Sequence, residues 1–167
     1  QWANLSRTRQ DLGDLAAAEE LNQRAMAIRM RLFGADSPWV ALSWQNLADY
    51  RLDRGDLAAA RSAIDAALRI RSAQFPPGHF LRLISEATAL VIDVQAGVVV
   101  EASRIAALRE ALGQAPFNTR LAILQSLAAA AMAAGDRAGS IARIEEELRL
   151  LRQRHPESHP WLAITPV

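Results

Sequence analysis

The chain has 167 residues, no cysteine, and a net charge of +1 from 19 cationic and 18 acidic side chains. That length suits one ordinary domain or about four short repeats, and the lack of cysteine excludes a disulfide framework and a thiolate metal site. Hydrophobic residues make up 51% and charged ones 22%, the balance of a folded chain and not of a disordered one.

Every cation is Arg, which with the abundant Ala suggests a GC-rich bacterial source, and the arginines alternate with acids. A nucleic-acid binder would carry a basic face or stripe, so no nucleic-acid partner is expected. The longest apolar tract, Leu121 to Ala134, is broken by Gln125 and Ser126 and is too short to cross a bilayer. Gln1 leads into polar residues without a signal-peptide pattern, so no membrane contact and a cytoplasmic location are expected. The missing initiator Met, and a final stretch Trp161 to Val167 that resembles the start of another unit, point to a fragment of a longer protein.

In chain order, the first distinctive element is GDLAAA at Gly13 to Ala18, which recurs 42 residues later at Gly55 to Ala60. The flanks keep the same phase: Trp2 falls on Trp44, Asn4 on Asn46, Leu5 on Leu47, Ile28 on Ile70 and Phe33 on Phe75. Gly97 follows after another 42 residues and Gly135 after 38. A fixed period of this size marks a solenoid, whose units bury their apolar faces only against neighbours.

Each Gly sits in a helix, turn, helix pattern, where it tolerates positive φ. Asp14, Asp56 and Asp136 follow it and are expected to cap the second helix. Pro38 and Pro160 stand at first-helix starts, where a missing N–H costs nothing. Eight residues before the Gly come Leu5, Leu47, Ala89 and Leu127, and fifteen after it Ile28, Ile70, Leu112 and Leu150, as seam-filling positions. Ala18, Ala60, Ala102 and Ser140, five after it, are small and are expected to let helices approach closely. Val98 to Val100 is expected to sit within a helical register. The units span 1–34, 35–77, 78–115 and 116–157, with the start of a further helix at 158–167.

Ala18 to Ala60, with Trp44, Asn46, Leu47, Ala48, Gly55, Ala67 and the loop LFGADSP, resembles the tetratricopeptide repeat in its longer, kinesin-light-chain-like form. The resemblance is weaker in unit three, where Glu86 replaces Trp, and Arg109 and Glu147 stand where Ala25 and Ala67 do earlier. It implies an all-α, right-handed α-solenoid of antiparallel helix pairs. It also implies a non-catalytic protein-interaction module without cofactor, holding a protein or peptide segment on the concave wall made by the first helices.

Positions ten, six and three before each Gly share one helical stripe. They give Ala3, Arg7 and Gln10 in unit one, Gln45, Asp49 and Leu52 in unit two, Ala87, Val91 and Val94 in unit three, and Gln125, Ala129 and Met132 in unit four. The groove is thus expected to run from polar to apolar. Nine before each Gly stand Asn4, Asn46, Thr88 and Ser126; in the resembling family an Asn here grips the peptide backbone, for which its amide can donate and accept. Arg51 and Asp93, both four before a Gly, are expected to form an inter-unit ion pair, and Trp2 and Trp44 to be packing residues.

Catalytic and metal motifs are nearly absent. His155 and His159 have an i, i+4 spacing with Glu157 nearby, but Pro156 and Pro160 argue against the helix a metal site would need. Glu145 to Glu147 point in different directions around a helix. Two alternatives to groove binding remain open at this level. One is a structural or oligomerisation solenoid pairing through exposed ends, and the other is the sensor arm of a bacterial signalling enzyme whose catalytic domain lies elsewhere.

Overall fold

The computed structural model describes residues 15–154, so Trp2, Asp14, His155, His159, Pro160 and the segment 158–167 lie outside the described residues. Within them are seven helices and no strands: α1 (Leu15–Phe33), α2 (Pro38–Asp53), α3 (Leu57–Gln74), α4 (Phe80–Gln95), α5 (Ala102–Ala111), α6 (Phe117–Ala133) and α7 (Arg137–Arg154). Consecutive helices pack as α1 on α2, α2 on α3, α3 on α4 and α6 on α7. The fold is an all-α helical-repeat solenoid.

Local chemistry explains the turns. At Gly55, φ is 77°; its N–H donates to Leu52 O at 2.9 Å and the Asp56 N–H to Arg51 O at 2.9 Å, the paired closure of a helix that ends in a left-handed residue. The same pair of bonds recurs at Gly97 and Gly135. Asp56 Oδ1 then accepts from Ala59 N at 3.1 Å and Asp136 Oδ1 from Gly139 N at 2.8 Å, so the expected caps form. Ser37 caps α2, accepting from Val40 N at 3.3 Å with Pro38 at the helix start.

Unit three departs from the pattern, and Val98 to Val100 is not helical. Gly97 is followed by Val98 instead of Asp, so no side chain caps a helix there. Three β-branched residues add rotamer restriction that disfavours helix starts. The second helix begins only at Ala102 behind Glu101, which makes no side-chain cap bond, and runs for 10 residues where α3 runs for 18. Ala102 is consequently exposed and not the close-packed contact expected, whereas Ala18 and Ala60 are fully buried and Ser140 is 1% exposed.

The core follows the helices as three clusters. Val40, Ala41 and Ile70 meet Met26 and Met30; Leu47, Ala48, Ala60, Ile64 and Ala89 form the second; Leu83, Leu90, Leu108, Ile123 and Leu127 the third. Trp44 packs on the first two, which makes it the packing residue expected. Of the seam positions, Ile70 and Leu150 are buried but Ile28 is 44% exposed.

Polar couples tie one unit to the next. Arg51 pairs not with Asp93 but with Glu19, Nε to Oε1 at 3.2 Å. Asp93 is held by Arg61, and by Arg104 at 2.7 Å. The expected pair fails because a residue four before the Gly turns toward the preceding second helix, six residues after its Gly, and not toward the next first helix. A second couple joins Arg29 Nη1 to Ser43 Oγ at 2.6 Å and Arg71 Nη1 to Ser85 Oγ at 2.5 Å.

Asp56→Ala should lower stability by about 1 kcal/mol by removing its cap bond, whereas Glu101→Ala should change it by less than about 0.5 kcal/mol. Urea unfolding of the two variants measures the difference.

Candidate functional site

Three first helices, α2, α4 and α6, together with the end of α1, enclose an open groove of about 640 Å³. From α2 come Trp39, Leu42, Asn46, Asp49, Leu52 and Asp53, with Tyr50 behind them. Helix α4 adds Ala87, Thr88 and Val91, α6 adds Ala122, Gln125 and Ala129, and α1 adds Arg29. The charged side chains of the wall, Arg29, Asp49 and Asp53, therefore all come from α1 and α2, while α4 and α6 supply only neutral ones.

The structure brings eight of the sequence-derived residues together on this wall: Asn46, Asp49, Leu52, Ala87, Thr88, Val91, Gln125 and Ala129. Asn4, Arg7 and Gln10 lie outside the described residues. Gln45 is 4% exposed and turned into the α2–α3–α4 junction. Ser126 is buried and donates to Ile123 O at 2.8 Å within its own helix. Val94 packs against the third core cluster, and Met132, 59% exposed, stands off the groove.

The reason is one of phase. The groove lining on α2 runs through positions 39, 42, 46, 49 and 53 with Leu52 at its margin; it shares Asp49 with the predicted stripe but is centred roughly 80° from Gln45 at ~100° per residue, which turns Gln45 inward. Sequence reasoning thus missed Arg29, Trp39, Leu42 and Asp53. The signal that finds them is Leu47: once it is placed in the core, the groove face is fixed about a third of a turn away.

Behind the wall lies a buried polar network. Arg71, 2% exposed, donates to Gln45 Oε1 at 3.0 Å, Leu81 O at 2.7 Å and Ser85 Oγ. Ser85 also donates to Gln45 Oε1 at 2.7 Å, and Gln45 Nε2 donates to Thr88 Oγ1 at 2.9 Å and Asp49 Oδ1 at 3.1 Å. Desolvation lowers the Arg71 pKa to about 10, with the Asp49 charge opposing the fall, so the guanidinium stays charged at neutral pH. Two groove residues, Asp49 and Thr88, are thereby held in fixed positions by the junction beneath them.

On the groove face, Asn46 Nδ2 makes only a long bond of 3.4 Å to Asn22 Oδ1, while Asn22 Nδ2 is committed to Ser43 O at 2.8 Å. Gln125 Nε2 reaches Glu147 Oε1 on α7 at 2.6 Å. Among the described residues no group of three His, Cys, Asp or Glu could hold a metal ion, and no helix is long and apolar enough to cross a membrane.

A tetratricopeptide repeat family model matches residues 1–73. Solved structures extend the likeness beyond that segment. A Podosopora anserina putative kinesin light chain with nearly identical tetratricopeptide-like repeats is 20% identical, with 93% of this chain and 76% of that one covered at a TM-score of 0.60. A variant of it gives 22% identity, 95% and 77% coverage and 0.66. BtubC (BKLC) from P. vanneervenii gives 19% identity, 99% and 66% coverage and 0.66. These likenesses establish a shared fold, an all-α helical-repeat solenoid. No curated protein matches the chain. Tetratricopeptide repeats generally mediate protein–protein interaction and are typically non-catalytic.

Arg71→Ala should destabilise the fold by about 3 kcal/mol, because Gln45, Ser85 and the Leu81 carbonyl are left buried without their donor. Arg29→Ala, which removes one bond at a half-exposed place, should cost less than about 1 kcal/mol. Thermal melts of both variants check the contrast.

Proposed function

We propose that the chain is a non-catalytic interaction module that holds a peptide or partner segment in the groove between α2, α4 and α6. The observation that carries this reading is the groove wall itself. It is continuous over three successive first helices and grades from Arg29, Asn46 and Asp49 to Val91, Ala122 and Ala129. Extended segments suit such a wall because their backbone donors and acceptors match amides such as Asn46 and Gln125, each bond contributing roughly 0.5–1.5 kcal/mol. Summed with modest apolar burial, the expected affinity is around micromolar, or about −8 kcal/mol. In selections from a displayed peptide library, Val91→Glu should abolish capture and Asn46→Ala weaken it by about three- to tenfold. Unchanged capture by both variants would reject the groove as the binding surface.

A second reading, self-association through an exposed solenoid end, is favoured by one feature of α7. Ile141, Ile144 and Leu148 are 56%, 46% and 36% exposed and share one helical face. They stand six, nine and thirteen residues after Gly135, where α1 carries Glu19, Asn22 and Met26 and α3 carries Arg61, Ile64 and Leu68. Those residues meet the next first helix. On α7 the equivalent face is apolar and, among the described residues, uncovered, and a second copy is the occupant this reading names. Sedimentation should then show concentration-dependent dimers that Ile144→Glu converts to monomer. Monomer at every concentration in the parent chain would dismiss this reading.

A further inference from the structure

Helix α5 is weakly anchored. Of its 10 residues only Leu108 is buried, whereas α3 buries Ala60, Ala63, Ile64, Ala67, Ile70 and Arg71. It touches α4 and α6 sparsely, because those two helices pack on each other directly. Three clefts run along it. One of about 560 Å³ separates Ala107 from Leu68 of α3, one of about 630 Å³ separates Ala107 and Ala111 from Phe80 at the start of α4, and one of about 350 Å³ lies between Ile105 and Ala130 of α6. On three flanks, then, α5 lacks the close packing that holds a helix in place.

Its two ends differ. At the N-terminal end Glu101 makes no side-chain cap bond and Val98 to Val100 run outside the helix, so the first turn keeps unpaired N–H groups and frays there. At the other end Arg120 of α6 donates to Leu112 O at 3.1 Å and Ala115 O at 3.3 Å, which ties the chain down just beyond the helix. A helix shorter than ~12 residues is marginal in water by itself, so α5 unfolds once it leaves its neighbours.

The rest of the stack tolerates that departure. Among the described residues one ion pair joins α5 to α4, Arg104 Nη1 with Asp93 Oδ2 at 2.7 Å. Asp93 keeps Arg61 when this pair parts, so no buried carboxylate is stranded, the usual reason that breaking such a pair is costly. Leu83 and Leu90 of α4 still meet Ile123 and Leu127 of α6 in one cluster.

We propose that α5 is a displaceable strap, which lifts from its N-terminal end and pivots at Leu112 to Ala115 while α4, α6 and the junctions on either side stay packed. Lifting uncovers the part of the third core cluster that Leu108 and Ile105 close, so the fold holds an apolar surface in reserve. The strap is independent of the groove reading, since no groove-lining side chain comes from α5.

Native-state hydrogen exchange on the unaltered chain tests the strap. After correction for intrinsic rates, the amides of Leu108, Arg109 and Glu110 should exchange about 100-fold faster than those in the middle of α3, α4 and α6. Low urea should change the α5 rates little, because a small opening exposes little surface. Glu101→Asp, which supplies a capping side chain, should slow α5 about fivefold, and Arg104→Ala should speed it about threefold, with α3 unchanged in both.

Amides of α5 as slow as those of α3 would show the helix fixed in place and overturn the proposal. Amides of α4 or α6 exchanging in step with α5 would mean that the whole third junction parts, which overturns it equally. Fast exchange in α5 that neither substitution shifts would rule out lifting from the N-terminal end.

Discussion

Everything in this fold depends on the contact between a second helix and the first helix of the following unit, because no helix pair here can bury its apolar face alone. Two polar couples fix that contact at the first two described junctions. One joins the residue six after a Gly to the residue four before the next, as Glu19 with Arg51 and Arg61 with Asp93. The other joins an Arg sixteen after a Gly to a Ser twelve before the next. At the third junction the four equivalent positions hold Ser103, Ala131, Gly113 and Ile123, and both couples are gone. Helix α4 then packs directly on α6, with Ile123 and Leu127 in the shared cluster. Shortening of α5 accounts for loss of the second couple, because a truncated second helix cannot carry a residue out to the sixteenth position, whereas the first is lost through Ser103 and Ala131 on helices that are present.

The same junctions connect packing to the groove. The network around Arg71 reaches the groove wall through Thr88 and Asp49, so the side chains that would meet a ligand are oriented by bonds made for packing reasons. A buried charge of this kind is poor evidence of net stabilisation. Its clearer effect is geometric, since three acceptors on two helices, α2 and α4, can be satisfied by one guanidinium of α3 only if those helices keep their spacing.

What was legible in the sequence was whatever repeats. The turn Gly residues with Asp56 and Asp136, the small residues at Ala18 and Ala60, the core role of Trp44 and the helix start at Pro38 depend on local geometry, and a period of 42 makes local geometry visible. The ion-pair partners were not legible, because the position four before a Gly has neighbours on two other helices and periodicity does not choose between them. The groove stripe was found only in part for a related reason. Gln45 and Asp49 share a side of α2 by spacing alone, but only the placement of Leu47 in the core decides which flank of that side faces open space. The late start of α5 had a signal, the missing Asp after Gly97, whose consequence became clear once Glu101 was seen to offer no cap either.

The sign of the charges at the first two junctions carries a last consequence. Equivalent positions hold Glu19 facing Arg51 and then Arg61 facing Asp93, so the polarity reverses from one junction to the next. A mispaired chain in which α1 met α4 would oppose Glu19 to Asp93, and one in which α3 met a second copy's α2 would oppose Arg61 to Arg51. Glu19 is 14% exposed and Asp93 8% at the side chain, so like charges there would be poorly screened. Nearly identical repeats are liable to exchange partners during folding, and reversed charges on otherwise matching helices oppose that exchange at little expense in the native stack. The third junction, apolar and built on direct α4–α6 packing, needs no such device because its short second helix already sets it apart by shape.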